Sequence, residues 1–458
     1  MPTNQLCNRV LPLCSRRAML QSLSCGFGWL AFSDLARRSL AEDKTPATHF
    51  APTAKRVIFL CMRGGPSHVD TLDYKPKLIA DSGKPGRRQG SQLLGSPWKF
   101  KKRGESGLWL SDLLPNLAKQ ADRLCVLNAM HTDVPAHPQA FVQLHTGTSR
   151  FVRPSLGAWT MYGLGSTNEN LPGFVTITPP NGFGGSQNYG SGFLPATNQA
   201  TRLGSEGRAI TSAVIPNLRR SQGINEQRTE LDLLQQFNAA QHKVTPHDPQ
   251  IDGMIDSFEL GFRMQAELPQ LLSIDEETKA TKDLYGIGDR ATDDFGRKCL
   301  LARRMVEAGV RFVEVTHGNW DQHFNLKTAL ANNCESIDKP AAGLLADLES
   351  RGMHKDTLVI WSGEFGRTPH AQGDDGRDHN NEAFSCWMAG GGLKGGLSYG
   401  VSDDYGYEGV ENRVSIHDWH ATILHLLGLD HERLTYRYAG RDFRLTDVYG
   451  NVIREIIA

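Results

Sequence analysis

Four short apolar runs constrain the fold more than anything else in this sequence. They are "RVIFLCM" (56–62), "RFVEV" (311–315), "TLVIW" (357–361) and "FSCWMA" (384–389). Each is continuous rather than alternating, as expected of strands buried on both faces, and such strands belong to parallel sheets covered by helices on either side. The stretch "DDFGRKCLLARRMVEAG" (293–309) has helical spacing and ends on Gly309. A second helix is expected in "IDKPAAGLLADLESRG" (337–352), with Asp338 as cap, Pro340 in the first turn and Gly352 at the end. Helix–strand–helix–strand order implies right-handed crossovers. The expected fold class is therefore α/β, a mainly parallel central sheet flanked by helices, and 458 residues suffice for its core.

The rest of the chain divides around these runs. Arg16 and Arg17, the apolar "SLSCGFGWLAF" and a small-residue exit near Ser39–Ala41 read as a twin-arginine signal peptide over 1–41. The apolar stretch is far shorter than the roughly 20 residues that span a bilayer, so no stable membrane span is expected. The chain is thus expected to pass through the twin-arginine export machinery to the periplasm or the extracellular space. A linker follows over 42–54, then one domain over 55–458. Within it, 174–290 reads as an insertion or cap, opening with the glycine-rich "TPPNGFGGSQNYGSGFLPATNQATRLGSEG". Fifty basic residues balance fifty acidic ones, so no polyanion-binding tail is implied and nucleic acid is not expected as a partner. The five cysteines beyond the signal form no CxxC pair, so neither a zinc knuckle nor a disulfide framework is read from them.

The chemistry gathers where the strands end. In open parallel sheets the loops leaving the carboxyl ends share one edge, and ligands bind there. The first run delivers His68, Asp70 and Asp73, the second delivers Asp321 and His323 in "VTHGNWDQHFN", and the third delivers Glu364 and Arg367. Asp378 and His379 follow in "GRDHNNE". Carboxylates and imidazoles without thiolates favour a divalent metal such as zinc, manganese, calcium or magnesium. A metal of this kind polarises an ester oxygen and acidifies water. Asp321, His323, Glu364, Asp378 and His379 are the expected ligands, with His68, Asp70 and Asp73 as candidates for a second ion. Arg367 has the planar fork that grips an anionic oxygen. His417 and His420 share one face of a helix in "SIHDWHATILHLLGLDH", and His420 is a candidate to face the site.

With those segments in place, the chain resembles the alkaline phosphatase-like superfamily of sulfatases, phosphatases and phosphomutases. It is most similar to the secreted, sulfatase-related proteins of domain-of-unknown-function family 1501. The carrying segments are "FLCMRGGPSHVDTLDYKP", "GNWDQHFN", "TLVIWSGEFGRTP", "GRDHNNEAFSCWMAGGGLKGG" and "HDWHATILHLLGLDHERLTYRYAGRDFRLTDV". The resemblance implies a metal at Asp321 and His323, with Phe365 standing where a further ligand would be. It also exposes a departure: sulfatases carry a Cys-x-Pro-x-Arg frame closing at Thr-Gly. Here "AHPQAFVQLHTGTS" keeps Thr146-Gly147 but puts His137 at the nucleophile position. His137 is accordingly expected at the reacting centre as ligand, general acid or nucleophile. The implied function is an exported metal-dependent hydrolase of sulfate or phosphate esters. The alternative is a non-catalytic module that binds sulfated or phosphorylated glycans.

Overall fold

The computed structural model describes residues 48–213, 215, 218, 223–244 and 249–458. The expected signal peptide over 1–41 lies outside these residues. Residues 47–458 form one compact unit around a nine-stranded sheet. Its strands are β1 (Arg56–Met62), β2 (Leu124–His131), β3 (Phe174–Ile177), β4 (Thr201–Leu203), β5 (Phe312–His317) and β6 (Thr357–Ser362). After a separate hairpin of β7 (Gly366–Ala371) and β8 (Arg377–Asn380) come β9 (Phe384–Ala389), β10 (Leu397–Tyr399) and β11 (Val414–Ser415). The sheet order is β10-β2-β9-β6-β1-β5-β3-β4, with β11 also paired to β2. Every pairing is parallel except those of β9, which runs against both β2 and β6.

Alternation along β1 explains its continuous apolar sequence. Ile58, Leu60 and Met62 enter one core layer, and Val57, Phe59 and Cys61 enter the other. The main helices are α1 (His137–Thr146), α2 (Leu156–Leu164), α3 (Ile224–Val244), α4 (Pro249–Leu272), α5 (Asp293–Glu307), α6 (Leu326–Ser350) and α7 (Ile416–Leu426). Residues of α5 and α6 fill the first layer, and residues of α1, α2 and α7 fill the second. Burying all six side chains of β1 from Val57 onward contributes on the order of 10 kcal/mol of transfer free energy, an upper figure because the unfolded chain already hides some surface.

Three expectations change. Helix α6 begins at Leu326, twelve residues before Asp338, and Pro340 sits inside it. The Asp338 carboxylate caps a neighbour instead, accepting from the backbone N–H groups of Asn116 and Leu117 at 2.8 and 2.7 Å. Residues 174–203 are not a cap over the sheet edge: β3 and β4 are that edge, paired onto β5. His420 does not face the rim. Its Nε2 donates to Leu144 O at 2.8 Å inside the core, and His417 Nε2 faces Gly147 O at 2.7 Å. Among the described residues no helix is long and apolar enough to cross a membrane.

Candidate metal centre

Strand direction decides which loops meet. The carboxyl ends of β1, β5 and β6 share one edge because these strands are parallel. β2 joins them because two successive antiparallel pairings, through β9, restore the same direction. From β2 the chain turns directly into α1, whose first residue is His137. From β5 it enters the loop that carries Asp321 and His323. Past β6 comes the β7–β8 hairpin, which sets His379 opposite Arg367.

Three imidazoles and one carboxylate converge there. His137, Asp321, His323 and His379 each offer a ligand atom, all within 4.8 Å of one another. Asp321 Oδ1 lies 2.9 Å from His323 Nε2, 3.2 Å from His137 Nε2 and 3.3 Å from His379 Nε2. The Nε2 atoms of His323 and His379 are 3.0 Å apart. Each ring is fixed from behind through Nδ1. His137 Nδ1 donates to Glu364 Oε1 at 2.6 Å, His379 Nδ1 donates to Pro135 O at 2.8 Å, and His323 Nδ1 meets Gln372 Oε1. A carbonyl only accepts, and so does a carboxylate that itself takes an N–H from Gly64, so the neutral tautomers of His137 and His379 turn Nε2 lone pairs inward. Nε2 of His137 is buried and has no aligned hydrogen-bond partner. Inward lone pairs, outward N–H groups held by acceptors and an orphaned buried nitrogen are the features of a metal-binding histidine set. The residues therefore fit a divalent cation.

The electrostatics agree. Burial works to raise the Asp321 carboxyl, but the close approach of His137 and His379 and the Arg367 guanidinium outweigh it and hold the group far below the usual carboxylate range. Burial works to lower His137, and its contacts with Asp321 and Glu364 outweigh that, so it is shifted up. Phe365 packs against the rings of His137 and His379 at 4.7 and 4.6 Å between centroids. Phe183, from the glycine-rich stretch, meets His137 edge-on at 5.3 Å and lies under the Arg63 guanidinium. Asp321 remains 38% exposed, which leaves one side of the cluster open.

The other expected residues have other partners. Arg367 is fully buried and grips its own scaffold: it donates to the backbone oxygens of Gly64, Gly65, Trp320 and Arg377 and reaches Asp321 Oδ1 at 2.6 Å. It orients Asp321 and has no face toward an incoming anion. Glu364 stands behind His137, outside the four-residue cluster. Asp378 turns away, with Oδ2 taking Arg88 Nη1 at 3.1 Å. Asp70 is locked by both arms of Arg377 at 2.7 and 3.0 Å. Asp73 pairs with Lys75 Nζ at 3.0 Å and with the Ser402 hydroxyl. His68 is buried with Nε2 on Gly406 O at 2.9 Å. No second ion site forms from His68, Asp70 and Asp73. Gln372 and the Pro135 carbonyl were not foreseen, because neither a neutral amide nor a backbone oxygen carries a signal at sequence level.

Gly64 joins these parts. Its φ is +119°, and a Cβ there would stand 2.8 Å from the backbone nitrogens of Trp320 and Asp321. Only glycine lets the β1 and β5 loops touch.

The family model described as "Protein of unknown function (DUF1501)" matches residues 54–457. No curated protein matches the chain. Solved structures similar to it include Ps i-CgsB in complex with k-i-k-neocarrahexaose, at TM-score 0.39 and 11% identity over 82% of this chain and 72% of that one. The PsFucS1 sulfatase from Pseudoalteromonas sp. gives 0.36 and 13% over 88% and 72%. Alkaline phosphatase from the Antarctic bacterium TAB5 gives 0.33 and 10% over 82% and 98%. The fold class rests on the chain's own sheet.

Proposed function

Because the chain belongs to the DUF1501 family, whose name assigns no reaction, its function is read from its own site, and we propose that it is an exported metal-dependent hydrolase of sulfate or phosphate esters. The convergence of His137, Asp321, His323 and His379 carries this reading. A divalent cation held there would supply Lewis-acid polarisation of an ester oxygen and a water acidified from a pKa of 15.7 toward about 7. Zinc suits three imidazoles and one carboxylate best, with manganese next.

The chain's own residues then have distinct tasks. Three Nε2 atoms and the Asp321 carboxylate would hold the cation. Glu364, Gln372 and Pro135 O fix the rings, and Arg367 keeps Asp321 aimed. Phe365 and Phe183 keep water from one flank, so the ester approaches from the open side of Asp321. The exposed Arg88, paired with Asp378, the residue before His379, is the cation assigned to meet the anionic group once this ion pair opens. Export by the twin-arginine route remains part of the proposal, resting on Arg16 and Arg17 and the apolar stretch after them.

A second reading, a non-catalytic module for sulfated or phosphorylated glycans, draws on one observation. His137 occupies the position of the sulfatase nucleophile and is engaged by Glu364 on one ring nitrogen. Assays of aryl phosphate and aryl sulfate with zinc, manganese or calcium separate the two. Turnover that Asp321→Ala abolishes is the expected result. Glycan binding without turnover selects the second reading, and purified protein that takes up no divalent metal rejects the first.

A further inference from the structure

A second set of ligand-type side chains lies inside the core. Cys61 on β1, His145 on α1 and Glu314 on β5 bring ligand atoms within 4.8 Å of one another, and all three are buried. Cys61 Sγ lies 4.0 Å from His145 Nε2, and Glu314 Oε1 lies 3.4 Å from the same nitrogen. His145 Nδ1 donates to Phe141 O at 2.7 Å, so its neutral tautomer turns the Nε2 lone pair toward the thiol and the carboxylate.

The surroundings are short of donors. Glu314 is 1% exposed, and its Oε1 has no hydrogen-bond partner. Thr176 stands opposite Glu314 across the β3–β5 pair, and Thr316 stands opposite Cys61 across the β1–β5 pair, so all four share one sheet face. The hydroxyls of Thr176 and Thr316 are likewise buried without partners. Around them the layer is apolar, with Phe59 and Phe141 against the His145 ring. A carboxylate is not left so in an apolar layer unless something neutralises it.

We propose that Cys61, His145 and Glu314 form a second, buried cation site of the zinc type. One thiolate, one imidazole and one carboxylate are zinc ligands, and the sulfur argues against calcium or magnesium. The site is separate from the candidate centre. His137 and His145 are eight residues apart on α1, about 12 Å along the axis at 1.5 Å per residue. One helix thus sends a ligand to each site. The competing occupant is a proton, which would make His145 and Glu314 an ion pair. Burial works to lower His145, and its contact with Glu314 outweighs that. The 3.4 Å approach nevertheless puts no aligned N–H on Oε1, and the test below separates the two occupants.

The test uses the full chain produced with cobalt in place of zinc. The candidate centre contains no cysteine, so a thiolate-to-cobalt charge-transfer band that depends on Cys61 reports the buried site. Expected are this band in the wild type, its loss with one equivalent of cobalt in Cys61→Ser, and its retention in the His323→Ala/His379→Ala double variant. Glu314→Gln, which keeps the side chain's shape, should lose the buried cobalt to a chelator at least tenfold faster. Absence of the band from wild-type protein overturns the proposal, even if Cys61→Ser fails to fold. So does a band that Cys61→Ser leaves unchanged. Loss of cobalt only in the double variant would leave the hydrolase reading intact while removing this one.

Discussion

The Nε2 atoms of His323 and His379 stand 3.0 Å apart, and both face Asp321 Oδ1. With the His379 proton held on Nδ1 by Pro135, this approach calls for a positive charge between the rings. His323→Ala and His379→Ala should each abolish stoichiometric metal binding, read by elemental analysis after dialysis. Glu364→Gln removes no ligand but weakens the acceptor behind His137. It should loosen the metal about 10- to 100-fold, the usual effect of losing an outer partner. Unchanged affinity in Glu364→Gln would show that this contact does not serve the cluster.

Asp70 and Arg377 form a fully buried pair, distinct from the cluster. Asp70→Ala leaves a buried guanidinium without its counter-charge and should cost about 3–5 kcal/mol in urea unfolding. Metal content per folded molecule should not change. A metal deficit in folded Asp70→Ala would return Asp70 to the site.

Gly64→Ala should damage the site from a distance. The new methyl group would meet the backbone of Trp320 and Asp321 at 2.8 Å, at a φ that side chains rarely adopt. The expected outcome is loss of metal with retained far-ultraviolet circular dichroism. Full metal content in this variant would contradict the close approach of the two loops.

Burial pushes His420 down to about 3. In the unfolded chain a histidine titrates near 6.5. Above that value neither state carries the proton, and stability is at its full level. As pH falls below it, the unfolded chain takes up a proton that the folded chain refuses until about pH 3, so stability declines across this window. His420→Gln should flatten the decline by at most about 1.4 kcal/mol per pH unit. Parallel pH profiles for the two proteins would refute the assignment.

Arg88 is exposed and Arg367 is not. Arg88→Ala should therefore raise KM for an anionic ester several-fold, since an exposed charge contributes about 1 kcal/mol or less, with kcat little changed. Arg367→Ala should instead reduce metal content, because it releases Asp321. An equal KM effect in folded, metal-loaded Arg367→Ala would restore its anion-binding role.

Much of the fold was legible because burial on both faces leaves a continuous apolar run, as β1, β6 and β9 show. The start of α6 was not, since Asp338 and Pro340 imitate a helix beginning while Asp338 serves another segment. At the site, the carboxyl-edge rule indicated which loops would meet, and Asp321, His323 and His379 do meet. The same rule says nothing about rotamers or competing partners. Asp70, Asp73 and Asp378 sit in the right loops but are taken by Arg377, Lys75 and Arg88.

The four residues of the cluster come from stretches separated by most of the domain. An ion shared among them would act as a rivet through three distant parts of the polypeptide, and the entropy it withholds from the denatured ensemble grows with the lengths of chain so enclosed. Chelation should consequently be felt first in heat resistance: demetallated protein would melt earlier while its folded outline stays the same.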